Sequence, residues 1–341
     1  MMRNADERRS ESVNGAIIAG VDGSDQGMGA VVWAAREAER RKLPLHLVTA
    51  YTVPVFAASS LDAGYATVDD SVIREGAEAV LKQAITKAST YDVDLHARIE
   101  TGDASGVLLE LSAEAAMMVV GSRGKGGFVG RLLGSVSSAL PAHAKCPTVV
   151  VPLCAASRLP DADVDVPNGH DNDGPDQSPV RPVVTVGVDG SEHARMASLE
   201  AAELATRRGL PLEVLCTLPP FTGSLAWVPA PLDREALHED LLEQLEAGKQ
   251  WLSSHFPDLE ISLKLLDGPP VELLIEESRT VEILVLGTRG RGGFAGMLLG
   301  STSQGVLHHA KGPVMIVPDK EDPRLADRDK FGPMVSDDFG G

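Results

Sequence analysis

Short apolar runs alternate along the chain with longer segments that place apolar side chains at helical spacing. In the first part of the chain the runs are AIIAGV, LHLVTA, VDLHARI, MMVVG and PTVVVP, which begin at residues 16, 45, 93, 117 and 147. Between them, helical spacing covers residues 27–42, 71–88, 104–114 and 135–144. Strands that alternate with helices predict a parallel sheet covered by helices on both faces.

The second part of the chain repeats this pattern. The segment IIAGVDGS, from Ile17, returns as VTVGVDGS from Val184, and KCPTVVVP, from Lys145, returns as KGPVMIVP from Lys311. Strands of the second copy are predicted near residues 183–188, 211–216, 259–265, 282–287 and 313–317. The repetition therefore predicts two tandem open α/β domains, each with five parallel strands.

The repeats also set the predicted domain boundaries. We predict one domain over residues 15–153 and a second over 182–318. The intervening segment, 154–181, is rich in Asp and Pro and is predicted to be a flexible linker. Residues 1–14 are predicted to be a disordered tail and residues 319–341 a flexible tail.

Composition and charge exclude several classes of partner. No segment approaches the roughly 18 to 20 consecutive apolar residues that span a bilayer, and the first residues lack the apolar stretch of a secretory signal, so we expect a cytoplasmic protein without a membrane partner. The net charge of −18 disfavours nucleic acid as a partner. The three cysteines, Cys146, Cys154 and Cys216, have neither disulfide-framework nor zinc-site spacing.

A glycine-rich segment, GSRGKGGFVGRLLGS, runs from Gly121 to Ser135 and returns from Gly287 to Ser301 with six glycines in the same register. Such a loop, leading from a strand into a helix, lets backbone N–H groups converge on an anion. Ligands of open α/β sheets bind at the carboxyl ends of the strands, where the winding direction reverses. We therefore expect each loop to form a crevice with the preceding VDGS turn.

Individual residues of this crevice allow two interpretations. Ser135 and Ser301 either cap the following helix or hold a phosphate oxygen. Asp22 and Asp189 either form a turn or contact a ribose hydroxyl or Mg²⁺. The arginines Arg123 and Arg289, with Lys125, Arg131 and Arg291, are either solvated loop charges or neutralise a phosphate tail.

Two other nucleotide motifs do not fit. A P-loop requires G-x-x-x-x-G-K-[ST], and neither glycine-rich loop has a lysine followed by Ser or Thr. The dinucleotide fingerprint G-x-G-x-x-G should follow the first strand of a domain, but VDGSD and VDGSE stand there. Hydride chemistry with NAD is therefore disfavoured.

At this point the sequence resembles the universal stress protein family in its tandem form. The nucleotide motif of that family is G-x-x-G, nine residues, then G-[ST], and both loops match it, from Gly121 to Ser135 and from Gly287 to Ser301. The early aspartate of the family matches Asp22 and its repeat, and the terminal family pattern matches HAKCPTVVVP and HAKGPVMIVP.

This resemblance implies a Rossmann-like fold with strand order 3-2-1-4-5 and one adenine nucleotide, ATP, ADP or AMP, in each domain, with Asp22 and Asp189 contacting either the ribose or Mg²⁺. It also implies that backbone groups at the end of the second strand, near Thr49 and Ala50 and near Cys216 and Thr217, read the adenine. In the first domain the implied binding set is Asp22, Gly23, Ser24, Thr49, Ala50, Gly121, Arg123, Gly124, Gly134, Ser135, Val136 and Ser137. In the second domain the set is Asp189, Gly190, Ser191, Cys216, Thr217, Gly287, Arg289, Gly290, Gly300, Ser301, Thr302 and Ser303.

Three functions remain open: a nucleotide-dependent signalling or stress-adaptation module, a slow ATP-hydrolysing enzyme, and an interaction scaffold that needs no nucleotide. Catalysis requires a positioned base or nucleophile in addition to a phosphate cradle, and the sequence shows no such constellation. We therefore expect a binding module rather than an enzyme. The apolar last strands, TVVVP and VMIVP, predict that the two copies pair as a pseudo-dimer, with further homodimerisation as in the family.

Overall fold

The computed structural model describes residues 13–52, 70–124, 133–156, 179–219, 234–291 and 298–332. These residues form two compact units. The first unit contains the elements of the first sequence copy and the second unit those of the second copy.

The first unit alternates strands and helices throughout. Its strands and helices are β1 (Ile17–Gly20), α1 (Asp25–Arg41), β2 (Leu45–Tyr51), α2 (Asp70–Ala88), β3 (Leu95–Thr101), α3 (Ala104–Leu111), β4 (Met117–Gly121), α4 (Ser135–His143), β5 (Thr148–Val151) and α5 (Leu153–Ala156). All strand pairs of the unit are parallel, in the order β3-β2-β1-β4-β5.

The second unit follows the same plan. It consists of β6 (Arg181–Val188), α6 (Glu192–Arg208), β7 (Leu212–Leu218), α7 (Arg234–His255), β8 (Ile261–Asp267), α8 (Pro270–Thr280), β9 (Val281–Gly287), α9 (Ser301–His309), β10 (Val314–Val317) and a terminal 3-10 helix (Pro323–Phe331). Its strands are parallel in the order β8-β7-β6-β9-β10.

The position of the central strand determines where each unit can bind a ligand. In the first unit, Ile17 of β1 pairs with Leu45 of β2 on one side and with Met117 of β4 on the other. All three side chains are fully buried, which explains why these strands are continuously apolar rather than alternating. The winding direction reverses between β1 and β4, so a crevice opens where these two strands end.

The predicted α/β fold and its strand order are confirmed. The structure adds a short helix, α5, and it differs from the prediction at the end of the chain. Residues 319–341 were expected to be a flexible tail, but Pro323–Phe331 forms a 3-10 helix that packs on α7. The cause is nonlocal: Trp251 of α7 donates a hydrogen bond from Nε1 to the carbonyl oxygen of Arg324 at 3.1 Å.

Other boundary predictions are not tested. Most of the predicted linker, residues 157–178, and most of the predicted N-terminal tail, residues 1–12, lie outside the described residues. Among the described residues, no helix is both long enough and apolar enough to span a bilayer.

Candidate nucleotide-binding clefts

The first unit has a cleft of about 330 Å³ at the ends of β1 and β4. Most of the residues that the sequence assigned to this site line it: Asp22, Ala50, Gly121, Arg123, Gly124, Gly134, Ser135, Val136 and Ser137. They come from three separate parts of the chain, namely the VDGS turn, the end of β2 and the glycine-rich loop with the start of α4. The topology therefore brings both repeated motifs to one place.

The VDGS turn is held by its own side chains. Asp22 Oδ1 accepts hydrogen bonds from Ser24 N at 3.0 Å and from Ser24 Oγ at 2.6 Å. Ser24 Oγ in turn accepts from Gly27 N at 3.1 Å, which makes Ser24 the N-cap of α1. One carboxylate oxygen of Asp22 is thus engaged in the turn, while the residue as a whole is exposed at the cleft.

The two glycines at the start of the loop are required by close packing. A Cβ on Gly121 would lie 2.6 Å from the backbone carbon of Gln26, and a Cβ on Gly124 would lie 2.3 Å from Asp22 Oδ2. Neither glycine adopts a positive φ. The loop therefore presses directly against the VDGS turn, and only glycine leaves room for the carboxylate of Asp22.

The start of α4 forms the opposite wall of the cleft. Its N-cap is Gly134, which has no side chain to accept from the first-turn N–H groups of Ser135 and Val136. Ser137 is buried and ties this turn to the end of β4: its Oγ donates to Ser122 O at 2.7 Å and accepts from Gly134 N at 3.0 Å. The helix N-terminus thereby presents a positive dipole end to the cleft.

The second unit has an equivalent cleft of about 430 Å³. Its lining includes the predicted residues Asp189, Thr217, Gly287, Arg289, Gly290, Gly300, Ser301, Thr302 and Ser303. The packing repeats as well, because a Cβ on Gly290 would lie 2.2 Å from Asp189 Oδ2.

The second cleft has two charged contacts at its glycine-rich loop. Arg291 N donates to Asp189 Oδ2 at 2.9 Å, so the loop backbone bonds the aspartate directly. The Arg289 side chain donates from Nε to His193 Nε2 at 3.1 Å, which holds the guanidinium at the mouth of the cleft. Lys125 and Arg131, which the sequence placed in the first loop, lie outside the described residues.

Six predicted binding residues do not line either cleft: Gly23, Ser24, Thr49, Gly190, Ser191 and Cys216. Ser24 and Ser191 act as N-caps of the following helices. Thr49 is buried and donates from Oγ1 to Val21 O at 2.5 Å. Neighbouring residues of a strand point to opposite faces, so Thr49 and Cys216 point away from the cleft while Ala50 and Thr217 line it.

The Cys216 thiol does not line the cleft and is not suited to act as a nucleophile there. Burial, with a further contribution from the charge of Asp189, raises the pKa of its thiol to about 11. The thiol therefore stays protonated near neutral pH and is a poor nucleophile.

Sequence reasoning missed the apolar wall of each cleft. In the first unit this wall is Ala104 and Leu108 of α3, and in the second it is Pro270 and Leu274 of α8. Leu108 lies so close to β1 that a Cβ on Gly20 would be 2.9 Å from its Cδ1. The sequence did contain a signal for these walls: a glycine, Gly20 or Gly187, stands near the end of β1 and of β6. A glycine inside a strand often marks a point of close approach, here by the helix that forms the wall.

Comparisons with known proteins agree with this architecture. The model of the universal stress protein family matches residues 14–152 and again 182–318. A universal stress protein of Mycobacterium tuberculosis is 34% identical over 315 residues, which cover 88% of this chain and 95% of the relative. A universal stress protein of Mycobacterium bovis is 30% identical over 334 residues, covering 93% of this chain and 99% of the relative.

A solved structure supports the fold. The crystal structure of a universal stress protein from Archaeoglobus fulgidus superposes with a TM-score of 0.58 at 19% identity and covers 90% of this chain and 97% of the other. With both copies of the chain matched by the family model, the chain belongs to the universal stress protein family.

Proposed function

We propose that each unit binds one adenine nucleotide and that the protein is a nucleotide-dependent signalling or stress-adaptation module. The observation that carries the proposal is the contact between the glycine-rich loop and the VDGS turn, in which Gly124 leaves room for Asp22 and Gly290 for Asp189. Both units preserve this contact at the strand ends where α/β sheets bind their ligands.

The size and chemistry of the clefts support a nucleotide. Their volumes, about 330 and 430 Å³, fall in the range of roughly 300 to 1,000 Å³ that small-molecule sites occupy. The apolar wall, from Leu108 or Leu274, suits the flat face of a base. The helix N-terminus and the arginine, Arg123 or Arg289, suit the phosphates.

The residues at the clefts are compatible with Mg²⁺ only when phosphates complete its coordination. Within the described ranges, no three His, Cys, Asp or Glu side chains converge on a point that could hold a metal ion. Mg²⁺ commonly binds through one or two carboxylates plus substrate phosphates. The exposed carboxylates of Asp22 and Asp189 would supply that protein contribution, and the ion would neutralise phosphate charge.

Binding is favoured over rapid turnover. Among the described residues, the titratable side chains that line the clefts are Asp22 and Arg123 in the first unit and Asp189, Arg289 and Arg291 in the second. Hydrolysis also requires a residue that orients the attacking water, and Asp22 already accepts two hydrogen bonds within its turn. Any ATP hydrolysis by this protein is therefore expected to be slow.

The proposal includes assembly through the last strand of each copy. The segments TVVVP and VMIVP are apolar, and each is the last strand of its copy in the sequence. Uncovered apolar edge strands favour pairing. We propose that the copies pair through these strands, and that full chains associate further as homodimers. Small-angle scattering of the full chain tests the pairing within a chain. A pair-distance distribution with two separate maxima, as two separated bodies give, would contradict it.

The nucleotide released on denaturing the purified protein tests the proposed function directly. We expect about two adenine nucleotides per chain, or, in nucleotide-free protein, calorimetric binding of ATP and Mg²⁺ with micromolar dissociation constants, about 8 kcal/mol per site. Gly124→Val and Gly290→Val should each remove one site, and the double variant both. Gly76→Ala, an exposed helical position with no atom within 4 Å of the added Cβ, is the control. Two sites retained in the double variant would refute the assignment.

A further inference from the structure

The second unit has another cavity, on the opposite face of its sheet from the nucleotide cleft. This cavity has a volume of about 90 Å³ and lies between α6, α7 and the strands β6 and β7. Arg328, which belongs to the C-terminal 3-10 helix, also lines the cavity. It shares the Val188–Asp189 turn with the nucleotide cleft, so the two spaces are separated by little more than that turn.

The cavity combines an apolar body with a cationic end. Its apolar lining includes Val214, Leu245 and Trp251, and its two cationic side chains are Arg195 and Arg328. Arg328 is only 6% exposed. Its guanidinium donates to Gln244 O at 3.1 Å, and Arg195 donates to Gly190 O at 3.0 Å, so both side chains are fixed by backbone carbonyls.

The first unit places apolar residues at the corresponding positions. Counted from the VDGS turn, Arg195 corresponds to Met28 and Ser198 to Val31, and both residues of the first unit are buried. A structural core needs neither an arginine nor a serine here, because the first unit builds the same layer without them. Compared with the first unit, the second unit carries an additional positive charge at Arg195 and a smaller side chain at Ser198. An added charge and a smaller side chain are features of a binding site rather than of a packed core.

The charges in the cavity favour an anion. Both guanidinium groups line this one space, and burial, with a smaller contribution from the positive charge of Arg195, lowers the pKa of Arg328 from its ordinary value. An anion between them would offset the two positive charges. The one carboxylate in the lining, Asp189, bonds on other sides: its two oxygens accept from Ser191 N and Arg291 N.

Gln244 leaves one polar atom beside the cavity without a hydrogen bond within the described part of the chain. Its Oε1 is buried and has no hydrogen-bond partner among the described residues. The side chain lines the cavity, and buried amide groups are normally satisfied.

We propose that this cavity binds a small aliphatic carboxylate, with the carboxylate between Arg195 and Arg328 and the alkyl group against Val214, Leu245 and Trp251. The volume sets the size of the ligand. An apolar cavity of about 150 Å³ holds benzene, so about 90 Å³ suits a carboxylate of two to four carbons. Arg328 brings the C-terminal 3-10 helix into the site, and the shared Asp189 turn places the ligand next to the nucleotide cleft.

Titration of the full chain with sodium propionate, against sodium chloride at equal ionic strength, tests this site by calorimetry. We expect one saturable site per chain with a dissociation constant of about 0.1–1 mM, as befits a ligand of so few atoms. Propionamide, which has the same shape without the charge, should bind at least tenfold more weakly. Equal binding of the amide, or no saturable propionate heat, would overturn the proposal.

Two variants locate the binding. Arg195→Met with Ser198→Val installs the residues of the first unit, which fills the cavity with side chains already compatible with this layer. It should weaken propionate binding at least tenfold while circular dichroism and the unfolding temperature show an intact fold. Arg328→Gln should weaken binding as well.

Arg234→Met is the matched control for charge removal. It lies on α7, is about half exposed and bonds Asp267, away from the cavity. It should bind propionate as the wild-type chain does. Unchanged binding in the Arg195→Met, Ser198→Val variant would show that propionate binds elsewhere and would refute the site. Because the test uses no nucleotide, its outcome is independent of the proposed nucleotide function.

Discussion

At the scale of single residues, the glycines of the repeated loop are explained by contact rather than by flexibility. Gly121, Gly124, Gly287 and Gly290 all have negative or extended φ, so other residues could adopt their backbone conformations. What excludes other residues is the space that a Cβ needs against the Asp22 or Asp189 turn and the following helix. These glycines of the motif are therefore needed because a larger residue would not fit between the loop and the aspartate turn.

This packing predicts the effect of the smallest substitution, Gly124→Ala. The added Cβ would overlap Asp22 Oδ2, so the carboxylate must leave its place and the turn must shift. We expect nucleotide binding at the first unit to weaken at least tenfold, with a loss of about 1 kcal/mol in the free energy of unfolding. Calorimetry and urea unfolding measure the two effects.

The control for this prediction is Gly76→Ala on the exposed side of α2. Nothing lies within 4 Å of its added Cβ, and the residue is in a helix interior. Alanine should therefore stabilise the protein by about 0.5–1 kcal/mol and leave nucleotide binding unchanged. Equal losses of binding in both variants would show that the Asp22 contact is irrelevant to the site.

At the scale of elements, the two copies of the first helix end differently. Helix α1 is followed by the C-cap residue Lys42 and α6 by Gly209, and both C-cap residues have left-handed backbone angles, with φ of 53° and 63°. A non-glycine residue is strained there, whereas glycine is not. We expect Lys42→Gly to stabilise the first unit by about 0.5–1 kcal/mol, since relief of strain exceeds the added entropy of the unfolded chain.

The same pair of positions supplies the reverse test. Gly209→Lys should destabilise the second unit by a similar amount, measured by urea unfolding followed by circular dichroism. If Lys42→Gly lowers the free energy of unfolding, the lysine side chain stabilises the first unit by more than its left-handed backbone conformation destabilises it.

A cluster of charges joins β6, β7, β8 and α8 in the second unit. Glu213 of β7 lies 3.4 Å from Arg181 Nη2 and 3.6 Å from Lys264 Nζ, and Glu277 bonds the same two cations. Burial opposes the ionisation of Glu213, but the hydrogen bond from Arg181 and the positive charges of Lys264 and Arg181 outweigh it and lower its pKa. The ionised cluster therefore contributes to stability.

The direction of that pKa shift fixes the pH dependence. Since the pKa of Glu213 is lower in the folded than in the unfolded chain, its contribution is present above about pH 4.5 and is lost as the pH falls through the lowered value. We expect Glu213→Gln to destabilise the protein at pH 7 and to destabilise it less at pH 3 in urea unfolding. Glu243→Gln, on the exposed face of α7, should change stability at neither pH; an equal loss for Glu213→Gln at both would contradict the linkage.

Element prediction succeeded where the signal was local. The apolar runs of β1 and β4 are continuous because both faces of these strands are buried, so their positions could be predicted from the sequence pattern. The central place of β1 came from the family resemblance, because periodicity does not fix strand order. The 3-10 helix could not be predicted, because its anchors are distant: Arg324 bonds Glu203 of α6 at 2.8 Å, and Arg328 bonds a carbonyl of α7. A charged tail is indistinguishable from a docked one until those partners are known.

Strand parity determines which side chains at the end of β2 line the cleft. The resemblance implies that the backbone near Thr49 and Ala50 reads the adenine; of the two side chains, only that of Ala50 lines the cleft, because the side chain of Thr49 points to the other face. The second copy repeats this with Thr217 and Cys216. The apolar walls from α3 and α8 were missed: which helix covers a strand end depends on the crossover connections, not on any local motif.

At the scale of the whole molecule, net charge opposes the proposed ligand. The chain carries −18, while a nucleoside triphosphate is itself a strong anion, so long-range repulsion acts before local groups such as Arg123 make contact. The affinity must then come from short-range groups: backbone N–H donors, the helix dipole and the arginine. Salt distinguishes the two ranges, since the Debye length falls from about 30 Å at 0.01 M to about 10 Å at 0.1 M.

We therefore expect the association rate constant of ATP to increase by about two- to tenfold between 0.01 and 0.1 M NaCl, because screening removes the repulsion that slows the approach. Stopped-flow measurement with a fluorescent ATP analogue checks this, and the corresponding adenosine analogue, which has no phosphate charge, should show no salt dependence. A rate constant that falls with salt would mean that the arginines at the two clefts, Arg123 and Arg289, dominate the field that an approaching nucleotide experiences. In that case replacing either arginine by methionine would reduce the slope.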